Sequence, residues 1–443
     1  MSNDESATEH ESPQRCEIAI IGAGLAGLSC AKRLVSALEG SGRVGSPPDV
    51  RVIEATDRVG GRVRTDVVNG MTLDHGFQVL LTAYPACREL LDYSKLRLRP
   101  FEPGALVRKS GRFHRLGDPW RRPFQALSTA FSPIGSFTDK LRIAKVRSQA
   151  SSGTLGDLYH RDAEPTLERL QNMGFSIPMV DEFFRPFLGG VFLDEKLSTS
   201  SRMFEFVFRM FAAGDIAIPA DGMGAIPRQL ADGLPRGTLV LNQSVSALEA
   251  DGDSVRLRFA DDRRLVAKHV VIATESNAAA RLLDRPELMT DWRQTTNLYF
   301  EASRSPRDDR LLMLRGDEQD GPIQTAVVLS DVAPEYATEG RSLVSVSVSE
   351  AFEDEDLDTI RDAVLKQAQS WFGTSVNQWN FIRAYRVPYG LPATSMDPVV
   401  RPIETTGIGG SVFLCGDHVE SPSIQGAMNS GIRVADHLLH LGN

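Results

Sequence analysis

Glu17-Ile18-Ala19-Ile20-Ile21-Gly22-Ala23-Gly24-Leu25-Ala26-Gly27 runs a short apolar strand straight into a glycine-rich turn. Leu28, Ala31, Leu34 and Val35 follow at the spacing of one buried helix face. A second apolar strand, Val50–Ile53, then ends on Glu54 and Ala55. This strand, GxGxxG turn, helix, strand and terminal acid make up a dinucleotide-binding arrangement. Gly22 permits the tight turn, Gly24 lets the backbone approach a pyrophosphate, and Gly27 lets helix and strand pack closely. The N–H groups of Leu25 and Ala26 open the helix and turn its positive end toward phosphate. Glu54 is set to accept hydrogen bonds from ribose hydroxyls. It lies further from the turn than the usual spacing of about 20 residues. The excess falls in 39–49, a stretch rich in Gly, Ser and Pro that reads as a lengthened loop.

That turn alone does not separate one dinucleotide from another. Arg58-Val59-Gly60-Gly61-Arg62 comes directly after the acidic strand end. It resembles the second flavin signature of the flavin amine oxidase and phytoene desaturase superfamily, in which the arginine contacts the cofactor. Near the other end, Ser411–Leu414 leads into Cys415-Gly416-Asp417, and a helix follows from about Gln425 to Leu439. This too is similar to the superfamily, where the Gly-Asp pair reaches the cofactor backbone and the helix N-terminus points at the flavin ring. The resemblance implies one non-covalent FAD, held by Gly22, Gly24, Leu25, Ala26, Gly27, Glu54, Ala55, Gly61, Arg62, Gly76, Val245, Ala273, Gly416, Asp417, Gln425, Ala427 and Met428. Val240–Val245, Val255–Phe259 and Val270–Thr274 read as strands joined by turns at Asp251–Asp253 and Asp261-Asp262.

Pieces of one site at both ends and in the middle imply an α/β fold with a discontinuous Rossmann-like FAD-binding domain. We expect it to comprise 16–90, 220–292 and 396–443, after a disordered tail over 1–15. An inserted α+β substrate domain would take 91–219 and 293–395. Its first half reads as largely helical and holds eight phenylalanines between Phe183 and Phe211, suited either to a core or to an apolar tunnel wall. In its second half, Ser342–Ser349 alternates as a half-buried strand, and a helix over 357–372 turns Leu357, Ile360, Val364 and Trp371 to one side.

The chain has 443 residues and a net charge of −9, which argues against a nucleic-acid partner. Four scattered cysteines form no disulfide framework. The first fifteen residues carry no apolar core of a secretory signal, so a cytoplasmic location is expected. Neither the histidines nor the carboxylates show metal-ligand spacing, and we expect no metal. Lys95–Arg147 holds thirteen Lys and Arg against three acids, either a solvated surface or a peripheral contact with anionic lipid. Gly407–Gly410 precedes a strand rather than following one, so a second dinucleotide turn is absent. The electron acceptor is then oxygen, a quinone or another diffusible partner.

The superfamily chemistry moves a hydride from a substrate C–H bond to flavin N5. Amine oxidases of this kind flank the substrate with two aromatic rings, and many have a lysine near N5. Here Glu420–Ile424 supplies no ring and Thr295–Phe300 no lysine. Leu73-Asp74-His75-Gly76-Phe77-Gln78-Val79, Phe187–Phe192 and Pro219–Pro227 resemble the phytoene desaturase-like and squalene-associated branch. We therefore expect an apolar, isoprenoid-like substrate, with amine oxidase or protoporphyrinogen oxidase-like chemistry as alternatives and a prenyl-binding module without redox chemistry as the non-enzymatic one. His75, Gln78 and Tyr389 are the flavin-proximal candidates.

Overall fold

The first strand, Gln14–Ile21, lies at the centre of a seven-stranded sheet. In the computed structural model, which describes residues 14–40, 49–117, 132–316, 321–393 and 411–441, it runs parallel to Val50–Ile53 and to Arg264–Ile272. Ser411–Leu414 pairs in parallel with the far half of Arg264–Ile272. The registers set Ile21 opposite Ile53 and Ile272, and Ile272 opposite Leu414. Four carboxyl ends therefore stop at one level, where open parallel sheets bind ligands. Ile18 to Ile21 are all buried, the continuous apolar run of a strand covered on both faces.

The helices Leu25–Gly40 and Ile424–Leu441 pack on this sheet nearly backbone to backbone. A Cβ on Gly431 would stand 2.1 Å from the Ala26 carbonyl oxygen. A Cβ on Gly27 would lie 2.0 Å from the Gly22 oxygen, so close helix–strand packing is the use of that glycine.

The second sheet also has seven strands, in the order Asn380–Pro392, Trp292–Ala302, Ser342–Val348, Ile323–Val328, Leu312–Arg315, Gly104–Lys109 and Arg112–Gly117. Neighbours are antiparallel except Leu312–Arg315 with Gly104–Lys109. The helix Leu357–Phe372 packs Ile360, Val364 and Trp371 into the core of this sheet.

Several expectations need correction. Gln14 and Arg15 are not tail but strand, paired with Leu265 and Val266. Val240–Val245 is not one strand. Leu239–Val240 pairs with Val52-Ile53, and Val245 begins another strand opposite Phe259. Asn242, at φ 56°, turns the chain between them. Ser342–Val348 is central and buried rather than half-buried, because its serines find a partner inside: Ser345 and Ser347 Oγ donate to Asn297 Oδ1. Leu357 sits at the helix start and is 39% exposed. The first insertion contributes the hairpin Gly104–Gly117 to the second sheet as well as helices.

Several basic residues of 95–147 meet acids from elsewhere, including Arg97 with Asp221, Arg99 with Glu335 and Lys109 with Glu182, while Arg115 pairs with Glu102 of the same segment. Phe184, Phe192, Phe204 and Phe206 are buried in the main core. Gly407–Gly410 and the 118–131 part of the basic segment lie outside the described residues. No helix among the described residues is long and apolar enough to cross a membrane.

Candidate functional site

The aligned strand ends open onto a cavity of about 670 Å3, within the usual range for small-molecule sites. It is lined by Gly22, Gly24, Leu25 and Ala26, by Gly61, Arg62, Ala273, Gly416 and Asp417, and by Glu54, Ala55, Val245, Gln78, Tyr389 and Ala427. These fifteen positions from the sequence reading come together. The other five do not reach the cavity wall. Gly27 is used in packing, and Gly76 faces Thr295 and Val387. Gln425 Oε1 accepts from Ala86 N at 2.9 Å, and Met428 Sδ meets Cys87 Sγ at 3.5 Å. Both side chains anchor the C-terminal helix to Pro85–Leu90.

His75 also turns away. Its Nε2 lies 2.9 Å from Asp66 Oδ2 and its ring stacks on Tyr385 at 4.4 Å. Asp66 further accepts from Arg58 at 2.7 Å and from Tyr385 OH at 2.8 Å. Burial alone would raise the Asp66 carboxyl, but the bonds from Arg58, Tyr385 and His75 outweigh it and hold the group well below its ordinary value. Eight residues on, Asp74 is fully enclosed. Thr65 Oγ1, Met223 N and Tyr336 OH all donate to its carboxylate, yet burial prevails and pushes the carboxyl up to about 6.

Arg62 is the hub of the cavity. Its Nη2 lies 2.6 Å and its Nη1 2.8 Å from the two Asp417 oxygens, a bidentate pair joining segments 355 residues apart. Nη1 also donates to the Gly390 carbonyl at 3.0 Å, and the guanidinium lies 5.0 Å from the Trp292 ring centroid. Burial works against the Arg62 charge, but Asp417 overcomes it and holds the guanidinium above its ordinary value. Trp292 meets Tyr389 edge to face at 5.6 Å.

Glu54 Oε2 accepts from Ala23 N at 2.9 Å, tying the strand end to the glycine turn. Its other oxygen accepts from Thr56 N and Oγ1. His418 beside Asp417 is buried, with its imidazole pushed down to about 4 by that burial.

Thr274, at the strand end beside Ala273, also lines the cavity, and the sequence reading missed Gln243, Glu275 and Arg281, which line it too. The available signal was positional. Thr274 and Glu275 join the end of Arg264–Ile272 to the helix Ser276–Leu283, a strand-to-helix turn at the binding edge of the sheet. Trp292 was missed because its partner Arg62 is 230 residues away in the chain.

The sequence profile of flavin containing amine oxidoreductases matches residues 25–439. The chain belongs to that family. Protoporphyrinogen oxidase 2 of Arabidopsis thaliana is 28% identical over 180 residues, 39% of this chain and 32% of that protein. The chain thus spans about a third of that curated relative. An oxidoreductase from Methanosarcina mazei has the same fold, with a TM-score of 0.74 at 18% identity, covering 95% of this chain and all of that one. Cyclohexylamine oxidase from Brevibacterium oxydans gives a TM-score of 0.70 at 16% identity, covering 97% of this chain and all of that one.

FAD is the family's cofactor, and the cavity fits it. A Cβ on Gly24 would meet nothing within 4 Å, so the backbone there lies open to a ligand. Gly61, at φ +58°, would set its Cβ 3.3 Å from Gly24 Cα, and Gly60 N donates to Ala23 O at 2.8 Å, so the two glycine motifs meet backbone to backbone at the cavity. Glu54 supplies acceptors, and Leu25 and Ala26 lie at a helix N-terminus.

Proposed function

We propose that this member of the family is an FAD-dependent oxidoreductase that dehydrogenates an apolar, unsaturated small molecule, with isoprenoid-like desaturation as the favoured reaction. In this reading Glu54 and Val245 hold the adenosine end of the cofactor, and Gly24, Gly61, Arg62 and Asp417 surround its phosphates and ribityl chain. Gln78, Tyr389, Ile424 and the start of the C-terminal helix border the ring, and no covalent bond is made. When bound, the flavin accepts the two electrons removed from substrate. The protein contributes orientation, exclusion of water and a positive helix end against developing negative charge.

One observation carries the substrate class. Gln78, Tyr389, Leu391, Ile424 and Ala427 give the cavity an uncharged share of its lining, and the carboxylates that also line it are already matched, Glu54 by Ala23 N and Thr56, and Glu275 by Arg281. Asp417 is bound to Arg62, and Glu420 to Arg433 and Asn429. An ammonium group entering there meets no carboxylate free to receive it, and a buried charge without a partner is costly. A second reading, protoporphyrinogen oxidase-like chemistry, is favoured by the match over 180 residues to the Arabidopsis enzyme. In both readings the acceptor is oxygen, a quinone or another diffusible molecule.

The test begins with the absorbance spectrum of the purified protein, repeated on the supernatant after heat denaturation. FAD released into the supernatant is the expected result; colourless protein that cannot take up FAD overturns the reading. Anaerobic bleaching of the flavin then separates substrates. Bleaching by a polyene hydrocarbon supports desaturation, bleaching by a porphyrinogen supports the second reading, and bleaching by primary amines alone rejects both.

A further inference from the structure

Three of the nine exposed large hydrophobic side chains among the described residues stand at one place. Phe137 is 63% exposed, Leu141 58% and Ile177 77%. Phe137 and Leu141 lie one turn apart on the helix Phe137–Ser151. Ile177 opens the short helical turn Ile177–Met179. One fully buried carboxylate locks the two openings together. Asp139 Oδ2 accepts from Ser136 N at 2.8 Å, and its two oxygens accept from Ser176 N at 2.9 Å and Ser176 Oγ at 2.6 Å. A Cβ on Gly135 would lie 2.6 Å from Met179 Sδ, so the segment before the long helix rests directly on this turn. The exposed side chains are thus presented by a rigid junction.

The charges around them are basic. Lys145 stands exposed on the same helix, with Lys140, which donates to the Ser132 carbonyl at 2.6 Å, and Arg142, which meets the helix's only acid, the buried Asp139. Among the described residues the acids that follow Ile177 are matched: Asp181 pairs with Arg185, and Glu182 with Lys109. The chain as a whole carries −9. An anionic surface would therefore repel most of the molecule and attract this face, while the apolar side chains enter the acyl boundary.

We propose that Phe137, Leu141 and Ile177, flanked by Lys140 and Lys145, form a docking surface for a membrane rich in anionic lipid. The proposal does not depend on the identity of the substrate. Its test is co-sedimentation of the FAD-loaded protein with vesicles of phosphatidylcholine alone and of phosphatidylcholine with phosphatidylserine. The protein should pellet with the phosphatidylserine vesicles and progressively less as salt rises. The combined change Phe137→Ser, Leu141→Ser and Ile177→Ser should weaken that binding at least tenfold while flavin absorbance and melting temperature stay at wild-type values. Lys140→Glu with Lys145→Glu should abolish the preference for phosphatidylserine. Wild-type protein that stays in solution with both vesicles overturns the proposal, as does a triple serine variant that pellets like wild type. A lipid-free dimer that the triple variant dissolves assigns the surface to self-association and overturns it too.

Discussion

Asp66 and Asp74 lie on the two strands of one small hairpin, Thr65–Val68 paired with Met71–Asp74 and Asp66 opposite Leu73, yet their surroundings push them in opposite directions. Asp66 is ringed by Arg58, His75, Tyr385 and Arg383 and kept ionised. Asp74 is enclosed by neutral donors, Thr65, Met223 and Tyr336, and pays for its charge without a cation in contact. Hydrogen-bond number does not separate the two sites. Depth of burial and contact with a formal positive charge do.

The glycine cradle gives the comparison between structural and cofactor-facing positions its largest expected effect. Gly27→Ala drives a Cβ into the Gly22 carbonyl at 2.0 Å, and we expect a loss of about 3 kcal/mol or more in urea unfolding. The Cβ of Gly24→Ala would meet nothing within 4 Å. The stability of this variant should stay within about 1 kcal/mol of wild type, while FAD affinity, measured by flavin fluorescence on titration, falls at least about tenfold through the 1.4 kcal/mol scale. Equal losses in both variants would erase the distinction.

Asp417→Asn comes next. It leaves Arg62 without its counter-charge, and we expect about 2 kcal/mol of lost stability in thermal melts, less than for a fully buried pair, because the Arg62 side chain keeps 31% exposure.

The two hairpin carboxylates separate by pH. Asp74 is raised to about 6, so its contribution is fully present below its ordinary value near 4 and is lost as pH rises through about 6. Asp74→Asn should flatten the urea midpoint between about pH 4 and 6. Asp66 is lowered, so its contribution is present above about pH 4 and is lost as pH falls. Asp66→Asn should therefore destabilise at neutral pH and lose its effect in acid. Parallel pH profiles for the two variants would refute the contrast.

The smallest effect is reserved for the rim. Tyr389→Leu should shift the substrate KM by a few-fold with an unchanged flavin spectrum.

The same contrast marks what could be read from the chain. Gly22, Gly24, Gly61, Glu54 and the Gly416-Asp417 pair were legible because their work is done by the backbone or by a residue fixed to a strand end, and such positions have local spacing. Arg62 was legible as a residue of the cavity, but its Trp292 and Gly390 partners were not, since contacts across more than 200 residues leave no periodic trace. Ser342–Val348 misled for a related reason. Alternating serines read as a wet face until Asn297 on the neighbouring strand supplies their partner. His75 was misjudged because adjacency to Gly76 says nothing about which way a side chain turns, and Asp66 turns it outward.

The close contact of Gly431 with Ala26 has a consequence for biosynthesis. The cavity is walled by segments drawn from both ends of the chain, and Ser411–Leu414 with the following helix are among the last described residues to leave the ribosome. The glycine turn near residue 22 must therefore wait, unsealed on one side, until residues 411–441 have been made. A nascent chain stalled before residue 411 has no complete cavity in which to retain FAD.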